Sequence, residues 1–178
     1  IDQIQFSDQL GLKILNLEHN SLQALNINKL QKLQVIYLED NPFTAATPLM
    51  IGRLPNLQVL EVTQIGHISP SFTLKNFPNL VSFDAYHTVS LTSCDPTGCP
   101  NLRRLSLDMT SVSSVNLSQN PLLEVLNVSD SRIKTLDLSR SPKIKQLYAS
   151  HSSGSINKDV KFDNINVRYC PLLTIFYC

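Results

Sequence analysis

The sequence predicts an α/β-type solenoid, a coil with a parallel β-sheet on the concave face and mostly irregular, short helical or extended segments on the convex face. Two observations lead to this prediction. First, an apolar pattern returns at a nearly constant period along almost all of the 178 residues, which is typical of repeat proteins. Second, the last two apolar residues of each copy flank one outward residue, and this alternation is the periodicity of a β-strand.

The repeat is clearest in two adjacent stretches, LRRLSLDMTSVSSVNLSQNPL at 102–122 and LEVLNVSDSRIKTLDLSRSPK at 123–143. One strand cannot bury its apolar face alone, so stacked copies are expected to pair in parallel and to share a continuous core. The chain then returns along the opposite side through a second apolar pair, such as Leu136 and Leu138. A proline before the next copy marks the turn.

We assign residues 1–178 to one domain with about seven full repeats and a partial repeat at each end. The first residues, IDQIQFSDQLGL, match the second half of a copy, and the last, LLTIFYC, match the first half. Neither end has the polar cap that terminal repeats need. We therefore expect a fragment of a longer array. The full repeats begin at Leu12, Leu33, Leu57, Leu80, Leu102, Leu123 and Ile144.

The ninth position of each copy is expected to satisfy backbone groups of the loop between coils. Asparagine does this with its side-chain amide, and a hydroxyl can do part of the same work. Because an isoleucine cannot, we expect a loosened or rearranged turn at 65–66. The ninth-position residues are Asn20, Asn41, Ile65, Thr88, Thr110, Ser131 and Ser152.

Two longer copies contain irregular segments. In TAATPLMIGR, at 44–53, Thr44 or Thr47 is expected to cap a short helix, with Pro48 near its first turn. The insertion HSSGSINKDVKFDN, at 151–164, is polar and is expected to be a surface loop. Such a loop is either part of a binding surface or a mobile spacer, and both interpretations stay open.

The copies follow L-x-x-L-x-L-x-x-N, and the chain thereby resembles the leucine-rich repeat family. The stretches VNLSQNPLLEVLNVSD and LDLSRSPKIKQLYAS resemble repeats of bacterial surface proteins of the internalin-like and Bacteroidetes lipoprotein-like types. This resemblance implies an exported module, extracellular or at the cell surface and of bacterial origin, that serves adhesion or recognition. It also implies that ligand contacts lie on the concave strands and the flanking loops.

Composition and motifs narrow the classes of function. The formal net charge is +1, which favours neither nucleic acid nor an acidic membrane surface as a partner. The sequence has no apolar run of about eighteen residues, so we expect no membrane insertion. It also lacks the dinucleotide, phosphate-loop, zinc-protease and nucleophile-elbow signatures. We therefore expect a non-catalytic protein with no cofactor and no metal.

The fifth, seventh and eighth positions of each copy are expected to point outward from the concave strands. Seven of the 14 acidic residues and none of the 15 basic residues occupy these positions. Acidic charge on a concave surface attracts a basic partner, and interleaved tyrosines add contact area. We therefore predict binding of a protein or peptide with a basic surface; the alternative is a carbohydrate, since aromatics stack on sugar rings. The predicted partner-binding residues are Glu18, Tyr37, Glu39, Asp40, Glu61, Asp84, Tyr86, His87, Asp108, Asp130, Tyr148 and His151.

Two cysteines lie close together in the loop sequence CDPTGC, which contains a proline and a glycine. Cys94 and Cys99 are candidates for a local disulfide if the protein is extracellular. The alternative is a pair of free thiols, and the sequence leaves both open. The loop lacks the second cysteine pair that a structural zinc site would need.

Overall fold

The computed structural model describes residues 1–6, 11–69 and 72–178. Its strands are three residues long and form an eight-stranded main sheet and a second sheet of two strands, both parallel. The main sheet has the order β1-β2-β3-β4-β5-β6-β8-β10, and the second sheet pairs β7 with β9. The strands are β1 Ile14–Asn16, β2 Val35–Tyr37, β3 Val59–Glu61, β4 Ser82–Asp84, β5 Arg104–Ser106, β6 Val125–Asn127, β7 Thr135–Asp137, β8 Gln146–Tyr148, β9 Asn164–Asn166 and β10 Ile175–Tyr177.

The repeat places the same position of every copy side by side in the main sheet. Leu15 lies opposite Ile36, and Ile36 lies opposite Leu60 in the next strand. All three are buried, and they occupy the fourth position of their copies. The predicted solenoid with a parallel sheet is therefore confirmed, and its core is the continuous column of apolar anchors behind that sheet.

The opposite side of the coil is extended rather than helical. Leu136 of β7 lies opposite Ile165 of β9, and further copies contribute isolated parallel bridges such as the one between Cys94 and Val115. Within the described ranges, the helices are two short 3₁₀ turns at Leu74–Asn76 and Pro96–Gly98. The convex segments thus match the irregular and extended type that the sequence predicted.

The helix predicted within 44–53 is wrong. Thr47 donates its backbone N–H to Thr44 Oγ1 over 3.1 Å, and this hydrogen bond closes a turn instead of capping a helix. Two residues later Leu49 forms a parallel bridge with Ile68 of the following copy and is fully buried. Pairing with the neighbouring coil therefore overrides the local capping signal.

The ninth position has the predicted role in several copies, although the Ser152 hydroxyl donates to the Asp130 carboxylate instead of a backbone group. Asn41 donates its side-chain amide to the carbonyls of Leu17 at 2.8 Å and Leu38 at 3.0 Å, and its Oδ1 accepts from the Leu22 N–H at 3.1 Å. A hydroxyl replaces the amide in later copies, where Thr88 donates to the Val62 carbonyl at 2.5 Å. Each such side chain satisfies carbonyls that a three-residue strand leaves unpaired.

The turn at 65–66 is rearranged but not loosened. Ile65 is buried, and the Gly66 N–H donates to the Asn41 carbonyl over 3.1 Å. A Cβ at Gly66 would collide with the carbonyl oxygen of Phe43. Close backbone approach at a glycine therefore replaces the missing side-chain hydrogen bond.

The insertion at 151–164 is anchored to the solenoid by Asn157. This side chain is buried, and its amide donates to the Thr110 carbonyl at 3.0 Å and to the Asp130 carbonyl at 2.7 Å. Its Oδ1 accepts from Arg132 Nε at 3.0 Å. The ninth position of these copies has a hydroxyl and no amide. Asn157 supplies the missing side-chain amide, although the insertion follows these copies much later in the chain. The interpretation as a mobile spacer does not fit this anchoring.

Replacing Asn157 by alanine is expected to lower the free energy of unfolding by about 2 kcal/mol, because two carbonyls lose a buried donor. Urea unfolding followed by circular dichroism measures this change. The control is Ser153→Ala, at an exposed position of the same insertion, for which we expect a change below about 0.5 kcal/mol. Equal, small effects of the two substitutions would show that the insertion is only loosely attached.

Candidate functional site

The outer face of the main sheet is built by the residues that flank the buried middle position of each strand. In β3, Val59 and Glu61 point away from the core, whereas Leu60 points into it. Beyond the strand, the chain turns at the eighth position through left-handed backbone, with φ of 54° at Asp40 and 55° at His87. Aspartate and histidine tolerate this conformation better than most residues. The left-handed residues at the eighth position are His19, Asp40, Gln64, His87, Met109 and Asp130.

The carboxylates of the first four copies lie within electrostatic reach of one another. Burial raises the pKa of the Glu61 carboxyl above its ordinary value, and the charges of Asp84, Glu18 and Glu39 raise it further. Each of these carboxylates belongs to a different copy, and the in-register pairing of β1 to β4 places the four copies side by side. The structure therefore brings the predicted acidic residues together in one stripe, which we call the acidic stripe.

Asp108 extends the acidic stripe towards later copies. Burial is the largest cause that raises its pKa, and Asp130 and Asp84 add to the shift, while a hydrogen bond from Asn127 opposes it. Asn127 Nδ2 donates to Asp108 Oδ2 over 3.3 Å. The other oxygen, Oδ1, is buried and accepts no hydrogen bond within the described ranges.

Two of the predicted partner-binding residues make contacts that hold the fold together. Asp130 is buried, and its two carboxylate oxygens accept from the backbone N–H of Ser152 at 2.7 Å and from its hydroxyl at 3.0 Å. His151 Nε2 lies 3.1 Å from the Ser131 carbonyl, and its ring packs on Phe162 with centroids 5.4 Å apart. Residues of the insertion at 151–164 thus take part in the contacts of both side chains.

The aromatic residues lie on the same face at two places. Tyr86 is exposed beside His87, with ring centroids 5.9 Å apart, and Tyr37 points outward from β2 directly opposite Glu61. Towards the last copies, Tyr148 stacks on Tyr177 with centroids 5.6 Å apart and an interplanar angle of 13°. Tyr177 was not predicted, although it occupies the fifth position of the last copy and the repeat rule would have identified it.

The third position of each copy begins its main-sheet strand and also points outward, which the sequence did not predict. Arg104 occupies this position in the fifth copy and is exposed at the start of β5. Arg104 lies in a shallow depression of about 310 Å³. The outer face is therefore not free of basic residues. Other residues that line the depression are Glu61, Ser82, Asp84, Asn127 and Tyr148.

Cys94 and Cys99 are free thiols in this structure, and the candidate disulfide is not formed. Cys99 is buried, and its Sγ donates to the carbonyls of Leu74 at 3.3 Å and Phe77 at 3.5 Å. Burial raises the pKa of the Cys99 thiol to about 11, and burial also raises the pKa of Cys94. Because the thiolate is the reactive form, this direction of the pKa shift disfavours reaction at either sulfur.

No group of three or more histidine, cysteine, aspartate or glutamate side chains is placed to hold a metal ion in the described part of the chain. The same residues contain no helix with the length and apolar character that crossing a bilayer requires.

The stacked copies, the inward apolar anchors and the ninth-position side chains that bond backbone carbonyls define a leucine-rich repeat solenoid. The fold is similar to that of internalin C2 from Listeria monocytogenes, with a TM-score of 0.61 and 21% sequence identity over 87% of this chain and 68% of that chain. A second internalin from the same organism, InlJ, has a TM-score of 0.44 and 16% identity over 91% of this chain and 45% of that chain.

Comparison of the sequence with curated proteins adds one relative. An adenylate cyclase of Schizosaccharomyces pombe is 33% identical over 99 residues, which is 50% of this chain and 6% of the relative. The chain thus spans only a small part of that protein. No family model matches the sequence.

The crowding of carboxylates predicts an unusual dependence of stability on pH. Folding raises the pKa of Glu61 above 4.5, so the native state binds its proton more tightly than the unfolded chain does. Its contribution to stability is therefore lost as pH rises from about 4.5 towards neutrality. We expect Glu61→Gln to raise the urea midpoint at about pH 7 and to leave it nearly unchanged below about pH 4.

Glu124→Gln is the matched control for this experiment. Hydrogen bonds from Lys145 and Arg103 lower the pKa of Glu124, so the unfolded chain binds its proton more tightly. Glu124 therefore contributes stability above its ordinary pKa of 4.5 and loses it as pH falls. Glu124→Gln should lower the urea midpoint at about pH 7, and a shift of the same sign in both variants would contradict the opposite pKa shifts.

Proposed function

We propose that this protein is a non-catalytic binding module whose outer sheet face recognises a protein or peptide with a basic surface. The observation that carries the proposal is the acidic stripe, in which Glu18, Glu39 and Asp84 all raise the pKa of Glu61. Repulsion among these carboxylates costs folding free energy, and a cationic partner would relieve it. A binding role explains why the same face of successive copies carries this cost.

The shape and composition of the face support the same function. Tyr37 and Tyr86 present partly apolar surface between the carboxylates, as is typical of the centre of protein interfaces. Asp40 and His87 are exposed at the ends of their strands and widen the face at its edge. The resemblance of the repeats to those of bacterial surface proteins supports adhesion or recognition outside the cell as the setting.

The binding test uses an oligolysine peptide of about eight residues, which is long enough to cross four strands of the sheet. We expect Glu18→Gln, Glu39→Gln and Glu61→Gln together to weaken its binding by roughly five- to twentyfold at low salt, as several exposed charge pairs are lost. Fluorescence anisotropy measures the dissociation constant. Glutamine keeps the size of each side chain and removes only its charge.

The matched control removes the same net charge at exposed positions away from the main sheet, through Asp2→Asn, Asp159→Asn and Asp163→Asn. It should leave the dissociation constant within about twofold. Equal losses in both triple variants would mean that net charge alone attracts the peptide. Binding of the native protein that is unchanged between about 0.05 and 0.5 M salt would also contradict the proposal.

The alternative function is recognition of a carbohydrate, and the stacked pair of Tyr148 and Tyr177 is the feature that favours it. Aromatic rings on an open face bind the apolar faces of sugars. A glycan array separates the two functions, because glycan binding that is lost in Tyr148→Ala and kept in the triple glutamine variant would favour the carbohydrate.

A further inference from the structure

Arg104 stands apart from the other residues at the start of the main-sheet strands. It begins β5, where the neighbouring strands place Ser82 on one side and Val125 on the other. In the described main-sheet strands, Arg104 is the only charged residue at this first position. The sheet register thus sets a single guanidinium beside the acidic stripe.

The guanidinium of Arg104 is unpaired among the residues that the structure describes. The neighbouring Arg103 donates to Glu124 Oε1 at 2.5 Å, and Arg132 donates to Asn157. Arg104, by contrast, makes no ion pair or hydrogen bond with any residue that the structure describes. Glu61 and Asp84 line the same depression without pairing with it. Its donors therefore stay free for a bound molecule.

A free guanidinium at this place conflicts with a partner that is basic throughout. A cation that approaches the acidic stripe near Asp84 would meet Arg104 on the next strand, at the diagonal position about 8 Å away. An arginine presents paired donors in a planar fork that matches a carboxylate. The charge pattern of the face is thus complementary to a partner that carries one acidic group next to its basic residues.

We propose that Arg104 is a specificity-determining residue that binds a carboxylate side chain of the partner, so that the partner is a bipolar peptide segment. This inference rests on the proposed function of the outer face. Basic residues of the segment lie over the strands of Glu18, Glu39 and Glu61, and one glutamate or aspartate reaches the depression around Arg104. Asn127 and Tyr148 border that depression and complete its polar rim.

The dimensions agree with a short extended segment. Four strand spacings of about 4.8 Å separate β1 from β5, which gives roughly 19 Å. An extended peptide covers that distance in about six residues at about 3.3 Å per residue. A lysine peptide of about eight residues with one terminal glutamate therefore reaches both the acidic stripe and Arg104.

The test compares two amidated and acetylated lysine peptides of this length, one with a terminal glutamate and one with glutamine in its place. Each peptide is made in two versions, with the variable residue at the N-terminus or at the C-terminus, because an extended peptide can cross the sheet in either direction. For one of the two directions, we expect the glutamate peptide to bind the native protein about two- to fivefold more tightly than the glutamine peptide. Simple charge attraction predicts the opposite order, since the glutamate peptide is less basic.

Three variants assign the effect to Arg104. Arg104→Gln should reverse the order, Arg104→Lys should reduce the preference because it keeps the charge without the fork, and the control Arg140→Gln should leave it unchanged. Arg140 is exposed beyond β7 in the second sheet. Circular dichroism and thermal unfolding of each variant verify that it is folded.

The possible outcomes separate this inference from the function on which it rests. If both peptides bind through the acidic stripe and the glutamate peptide is the weaker one at both ends, the role of Arg104 is wrong and the binding face stands. A preference for glutamate that survives Arg104→Gln would also overturn that role. If neither peptide binds the native protein, both proposals fail.

Discussion

The whole structure depends on hydrogen bonding between neighbouring coils, because a three-residue strand cannot satisfy its own backbone. The Leu17 N–H donates to the Tyr37 carbonyl of the next coil at 2.9 Å, and Asn41 bridges the carbonyls of two coils. Where later copies lack this asparagine, a hydroxyl or the distant Asn157 takes over part of the role. A coil is therefore stable only when its neighbours hold it in register, and register in turn decides which side chains meet on the outer face.

Fixed register has an electrostatic consequence. Carboxylates that lie far apart in the chain come close enough that the charges of Asp84 and Glu18 disfavour the ionised form of Glu61. The same register places Arg104 at the edge of the acidic stripe, with its guanidinium free. A scaffold that only had to be soluble would gain stability by interleaving the two signs of charge on neighbouring strands. The separation of charges is therefore the feature on which the proposed binding role rests.

The sequence predicted the solenoid, the parallel sheet and most of the acidic stripe, because each follows from a period that assigns one role to each position. It failed where contacts between distant copies override that period. Leu49 forms an isolated parallel β-bridge with Ile68, so the helix predicted within 44–53 does not form. The Asp130 carboxylate accepts two hydrogen bonds from Ser152. This contact depends on the fold of the insertion, which the repeat pattern does not predict. Arg104 was missed for a simpler reason, since the third position was not counted as part of the outer face.

The most direct test of the binding face is a nuclear magnetic resonance titration of the isotope-labelled protein with the oligolysine peptide. We expect the largest changes in backbone amide resonances at the fifth and seventh positions of the first four copies, close to Glu18, Glu39, Glu61 and Asp84. Amides of the convex segment at 44–53 and of the insertion at 151–164 should change little. Changes concentrated in either of those segments, with the main sheet unaffected, would show that the partner binds elsewhere.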